Sequence, residues 1–176
     1  ICACLVGSEM CIRDRYVVKT VAPTLEAVRS LGGFRTLPDY SFDTMPSDYA
    51  GLVLIGGMQW QSPEAERIFP IVQDAFEKGK VIGGICNAAS FLCAHGFLNH
   101  VKHTGNTLAV LKQWGGEQYT NEDGYLEKQA VGDKNIVTAN GTGYLEFTRE
   151  LLLALKADTQ EKIEAFYDFS KNGLVR

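Results

Sequence analysis

Apolar and polar positions change period several times along the chain, and each change marks an element. Gly51–Ile55 is an uninterrupted apolar run, the pattern of a strand buried on both faces of a parallel sheet. Gly56-Gly57 ends it. Ser62-Pro63 then opens a helix, with serine as N-cap and proline in the first turn. Ile68, Ile71, Val72, Ala75 and Phe76 give that helix one inward face, and Gly79 closes it. Lys80–Ile85 reads as the next strand and Asn87–Ala94 as a helix; Thr107–Trp114 reads as another. Tyr125–Val131 and Asn135–Ala139 read as strands around a turn at Gly132-Asp133. Tyr144–Lys156 is helical with Leu145, Leu151, Leu152 and Leu155 inward, and Glu161–Lys171 is a final amphipathic helix. Before all of these, Tyr16–Val21 is a short strand, and Ala27–Leu37 alternates around Gly32-Gly33 as a hairpin arm. Strands alternating with helices predict an α/β fold with a mainly parallel sheet. Ligands in such sheets bind at the carboxyl ends of the strands, where Gly56-Gly57 and Cys86 both fall.

Cys86 carries the candidate chemistry. Residues 81–96, VIGGICNAASFLCAHG, run from an apolar strand through a cysteine into small residues and an apolar helix. That order is the sequence form of a nucleophile elbow. The chain must reverse sharply at Cys86, so neighbours without bulk are needed: Gly84 before it, Ala88 and Ala89 after it. The turn directs the sulfur at the amides that open the next helix. The competing reading is a buried core cysteine, which is common in such folds. The amides of Gly57 and Asn87 are candidate oxyanion donors, or else an ordinary turn glycine and helix cap. Trp60 either walls the pocket or packs beneath it. His103 is a candidate base for Cys-His chemistry, or a solvated loop histidine. His95 and His100 read as structural or exposed, Cys93 as core packing, and Glu146 as a carboxylate favouring a helix N-terminus.

Composition narrows the partners. The 176 residues are 45% apolar and 22% charged, with a net charge of −4. A mildly acidic chain without a basic run argues against nucleic acid or an anionic membrane as partner. No apolar stretch reaches the roughly 18 residues of a membrane helix. Cys4–Arg15, CLVGSEMCIRDR, back-translates in one continuous frame into the adapter and transposon mosaic end of sequencing libraries. Residues 1–15 are therefore set aside as translated adapter, leaving one domain over residues 16–176. On this reading the native first strand and helix are missing or replaced, along with any catalytic residue there. Outside that segment only Cys86 and Cys93 remain, too few for a disulfide framework or a metal set, and a reducing cytoplasm is expected.

The runs Leu52–Gly57 and Gly84–Ala89, followed by Phe91-Leu92, Gly96-Phe97-Leu98, Val137–Gly141 and Glu146-Phe147, resemble the ThiJ/PfpI family (the Parkinson-associated deglycase family) of the class I glutamine amidotransferase-like superfamily. The resemblance covers essentially all of residues 16–155. It implies a flavodoxin-like three-layer sandwich, often a homodimer, with a reactive elbow cysteine and no cofactor. It also implies glyoxalase, deglycase or hydrolase-like attack on a small carbonyl or acyl substrate. The alternatives are a non-enzymatic stress protein sensing peroxide through Cys86, and a glutaminase. Three departures stand out. The family glutamate that bonds the cysteine would fall within the adapter-like segment, where Glu9 sits by accident. Asn87 stands where many members have histidine. No histidine follows His103, so the late His-Glu pair of a glutaminase triad is absent. An ordinary thiol is only a few per cent thiolate at neutral pH, and a shift of two units takes about 2.7 kcal/mol. A helix N-terminus supplies about 0.3–1 kcal/mol, and about 2 kcal/mol in a partly buried site, so the elbow alone falls short and calls for a further hydrogen-bond donor, which the family's glutamate would supply.

Overall fold

The computed structural model describes residues 16–30 and 32–174. The adapter reading of residues 1–15, and Glu9 with it, falls outside the described residues. Among these described residues, eight strands and six α-helices follow in chain order: β1 (Val21–Ala22), β2 (Val28–Arg29), β3 (Arg35–Thr36), β4 (Tyr40–Ser41), β5 (Gly51–Leu54), α1 (Pro63–Glu66), α2 (Phe69–Glu77), β6 (Val81–Ile85), α3 (Asn87–Ala94), α4 (Leu108–Gly115), β7 (Ala130–Asp133), β8 (Ile136–Ala139), α5 (Tyr144–Ala154) and α6 (Gln160–Asn172).

The central sheet has the order β5-β6-β8-β7. Strands β5, β6 and β8 are parallel, and β7 is an antiparallel edge. Alternation along the strands sorts the core into two faces. Leu52, Leu54, Ile82 and Ile136 join Val72, Ala75, Ala88, Phe91, Leu92 and Leu111 on the side of α2, α3 and α4. Val81, Val137 and Ala139 join Phe147 and Leu151 of α5 on the other. Helices therefore cover both faces, and the fold is a mainly parallel α/β sandwich. Close approach explains two adjacent glycines. A Cβ at Gly83 would sit 2.7 Å from Leu151 Cδ2, and one at Gly84 would sit 2.7 Å from Leu92 Cδ1 and 3.3 Å from the Ala88 carbonyl. Both helices are thus seated directly on β6, and the end of β6 carries Cys86.

The small N-terminal strands pair locally. β1 runs parallel to β4, and β2 with β3 forms the expected hairpin. Regular pairing at the start covers only Val21–Ala22, later than the Tyr16–Val21 strand read from the sequence.

Three other elements depart from their sequence pattern. The helix opened by Ser62 breaks at Arg67–Ile68. Ser62 does cap it, accepting from the Ala65 N–H at 3.3 Å. Pro70, however, has no N–H to offer the Glu66 carbonyl, so the first turn cannot continue into α2. Phe76, read as inward, is 42% exposed and only edges against Phe97, at 5.3 Å between ring centroids. The β7–β8 turn is at Lys134-Asn135 rather than Gly132-Asp133, because Asp133 pairs with Ile136 and Gly132 with Val137. Gly132 lies inside the strand, where a Cβ would meet the movable end of the Glu150 side chain, 2.9 Å from Oε2.

The last two helices are tied by charge. Arg149 binds both carboxylate oxygens of Glu164, with Nε–Oε2 at 2.7 Å. Glu146 accepts from Tyr167 Oη at 2.7 Å and Lys171 Nζ at 2.9 Å. Burial alone would raise the Glu146 carboxyl, but these bonds hold it below the usual range. Among the described residues, no helix is long and apolar enough to cross a membrane.

Candidate active site

Cys86 is the N-cap of α3, with φ 60° and ψ −129°. A side chain at such a positive φ is strained, and it persists only where the surroundings over-determine it. Here both backbone groups are fixed. The Cys86 N–H donates to the Ala139 carbonyl of β8 at 2.9 Å, and its carbonyl accepts from the Ala89 N–H at 3.1 Å. The elbow is therefore clamped between the sheet and the first turn of α3. The thiol is half-buried.

Three strand-end loops converge on the sulfur. From the loop after β5, a Cβ at Gly56 would meet Cys86 Cβ at 3.0 Å; from the loop after β8, a Cβ at Gly141 would meet Cys86 Sγ at 3.2 Å. Both positions need glycine because a side chain would press on the cysteine. Asn87 follows Cys86 and reaches across to β5's loop, where its Nδ2 donates to the Gly57 carbonyl at 3.1 Å and approaches Met58 Sδ at 3.9 Å. As the first residue of α3, Asn87 has no carbonyl one turn earlier in the helix for its own N–H. Asn106, ahead of α4, completes the group. Its Nδ2 lies 3.5 Å from Cys86 Sγ and 3.1 Å from Asn87 Oδ1, and its Oδ1 accepts from the Gly141 N–H at 2.9 Å.

Of the residues singled out in the sequence, Cys86, Gly56, Gly57 and Asn87 come together. Trp60 packs beneath instead of walling the site: it is 4% exposed, donates to the Ile55 carbonyl through Nε1 at 2.9 Å and packs at a tilt against Phe91. His103 is neither a solvated loop residue nor a base turned toward the sulfur. It is fully buried, with Nε2 2.7 Å from Tyr119 Oη and Nδ1 2.9 Å from the Val101 carbonyl. Both ring nitrogens are committed, and desolvation holds its pKa below the ordinary value. Cys93 is core: burial pushes its thiol up to about 12, and Sγ contacts the Leu111 carbonyl at 3.4 Å.

Asn106 was not singled out in the sequence, and Gly141 only as the end of the Val137–Gly141 run, not as a site residue. Asn106 sits in a polar loop before the cap Thr107, and nothing local marks one such asparagine from another. Among the described residues, no group of three or more His, Cys, Asp or Glu side chains could hold a metal ion.

The sequence model of the DJ-1/PfpI family matches residues 8–154. The chain belongs to the DJ-1/PfpI family. It is 41% identical over 161 residues to "Uncharacterized protease YdeA" of Bacillus subtilis (strain 168), covering 92% of this chain and 80% of that protein. Among solved structures it is similar to a thiJ/pfpI family protein from Bacillus anthracis, with a TM-score of 0.82 at 31% identity, over 88% of this chain and 73% of that one. It is equally similar in fold to the DJ-1 superfamily protein Atu0886 from Agrobacterium tumefaciens, with a TM-score of 0.82 at 30% identity, over 96% and 90% of the two chains. The DJ-1/PfpI assignment agrees with the parallel sheet, the helices on both faces and the order of elements around Cys86.

Proposed function

We propose that this DJ-1/PfpI family chain is a cysteine-dependent enzyme in which Cys86 attacks the carbonyl carbon of a small carbonyl or acyl substrate. The observation that carries the reading is the strained, doubly clamped backbone of Cys86 (φ 60°, ψ −129°) at the start of α3, with its sulfur against two glycines and one amide donor. Strain retained at a half-buried cysteine is the mark of a group held for chemistry. The protease name of the Bacillus subtilis relative favours the acyl form of the reaction.

In that reaction the Cys86 thiolate forms a bond to the carbonyl carbon, and the carbonyl π pair moves to oxygen. The N–H groups of Asn87 and Gly57 serve, in this proposal, as the donors to that oxygen. With an acyl substrate, collapse expels the leaving group, which takes from solvent water the proton that the thiol gave up on becoming a thiolate, and leaves a thioester. Water then adds, the C–S bond breaks, and acid and free thiol are released. With an α-oxoaldehyde the first adduct is a hemithioacetal.

The test measures turnover of methylglyoxal, an activated ester and a peptide substrate by the unsubstituted chain and by Cys86→Ser and Cys93→Ser. Loss of turnover in Cys86→Ser alone, with the unfolding transition retained, is the expected result. Turnover that survives in Cys86→Ser, or no turnover of any of the three by the unsubstituted chain, would overturn the reading. Peptide mapping after limiting iodoacetamide should label Cys86 ahead of the buried Cys93.

A further inference from the structure

We infer that Asn106 is the positioning residue of the Cys86 site, its side-chain amide holding the sulfur in place and supplying it with a hydrogen-bond donor. The inference rests on the reading of Cys86 as nucleophile. It follows from the only hydrogen arrangement the contacts allow. The Gly141 N–H can only donate, so the Asn106 atom facing it at 2.9 Å is the oxygen. The Gly57 carbonyl can only accept, so the Asn87 atom facing it at 3.1 Å is the nitrogen. Asn87 therefore presents its oxygen to Asn106, at 3.1 Å from Asn106 Nδ2. One N–H of Asn106 is used on Asn87, and the other faces Cys86 Sγ at 3.5 Å.

The line Gly141 N–H to Asn106 to Asn87 to the Gly57 carbonyl thus runs in one direction. It ties the loops after β5, β6 and β8 to the residue ahead of α4. Neither amide can flip without setting like atoms face to face at both ends. A sulfur carrying negative charge accepts the Asn106 bond better than a neutral thiol does. Asn106 acts through Cys86 and needs no contact with substrate.

The test uses the full chain with Asn106→Leu and Asn106→Asp. The aspartate keeps the acceptor for the Gly141 N–H and the size of the side chain, but puts an oxygen where the donor was. It tests the donor even where leucine loosens the loop. Alkylation of Cys86 by iodoacetamide at neutral pH is read by peptide mapping, with Cys93 protection as the measure of an intact core. Both variants are expected to slow Cys86 by about ten-fold, the effect of losing one charge-assisted hydrogen bond. The aspartate should slow negatively charged iodoacetate more than neutral iodoacetamide. The thiolate ultraviolet absorbance that disappears on alkylating Cys86 should shrink in both. A merely structural role would move neither the reagent preference nor the absorbance. Unchanged rates in both variants, with Cys86 still labelled ahead of Cys93, would overturn the role of Asn106 and leave the nucleophile reading standing. If Cys86 in the unsubstituted chain reacts no faster than Cys93, the nucleophile reading fails and this inference with it.

Discussion

Replacing Cys86 by glycine is expected to leave the protein more stable than replacing it by alanine. Both substitutions remove the sulfur, its half-buried contacts and the bond from Asn106, so those losses cancel in the comparison. What differs is the Cβ on a backbone held at φ 60° and ψ −129°. A non-glycine residue there costs about 1–3 kcal/mol. Glycine loses about 0.5–1 kcal/mol more chain entropy on folding than alanine. The difference favours glycine by about 1 kcal/mol, although in a helix or strand interior the order is the reverse. For a domain of this size about 1 kcal/mol corresponds to a melting shift of roughly 2–4 °C. Paired urea and thermal unfolding of Cys86→Gly and Cys86→Ala measure it directly. Alanine equal to or more stable than glycine would refute the argument that this elbow stores backbone strain. Neither variant should turn over any substrate of the parent.

Two further outcomes follow from buried groups. His103 is held neutral by desolvation, so below its unfolded pKa of about 6.5 the unfolded chain binds the extra proton and stability falls as pH falls; denaturant midpoints across that range should drop in the parent, and His103→Gln should flatten the drop while sacrificing stability at neutral pH. Ser90 Oγ is fully buried and has no hydrogen-bond partner among the described residues, so Ser90→Ala is expected to keep or raise the unfolding free energy, by up to about 1 kcal/mol; a clear loss of stability would show that the hydroxyl is satisfied.

The sequence by itself determined the elements whose cause is local. Strand β6, the reversal at Cys86 and the helix α3 are written within fourteen residues, because a small residue beside a sharp turn and a periodic apolar face are short-range requirements. The α/β class and the resemblance to the family were legible for the same reason: they rest on the order of such segments. Tertiary packing decided the rest. Gly132 looked like a turn, but it sits inside a strand because it pairs with Val137 of β8. Pro70 broke a helix whose apolar face was continuous on paper, because the missing N–H outweighs the pattern. His103 became a core residue once Tyr119, sixteen positions on, reached its ring. The energetics of the elbow thiol called for a further hydrogen-bond donor, expected from the family's glutamate; that an asparagine amide faces the sulfur was invisible in the sequence. Asn106 lies twenty residues from the sulfur, and only the convergence of the loops at the sheet's carboxyl edge brings it within 3.5 Å. Period and turn chemistry act between neighbours in the chain. A site of this kind is made from contacts between residues far apart in it, and those are fixed only when the strands have found their order.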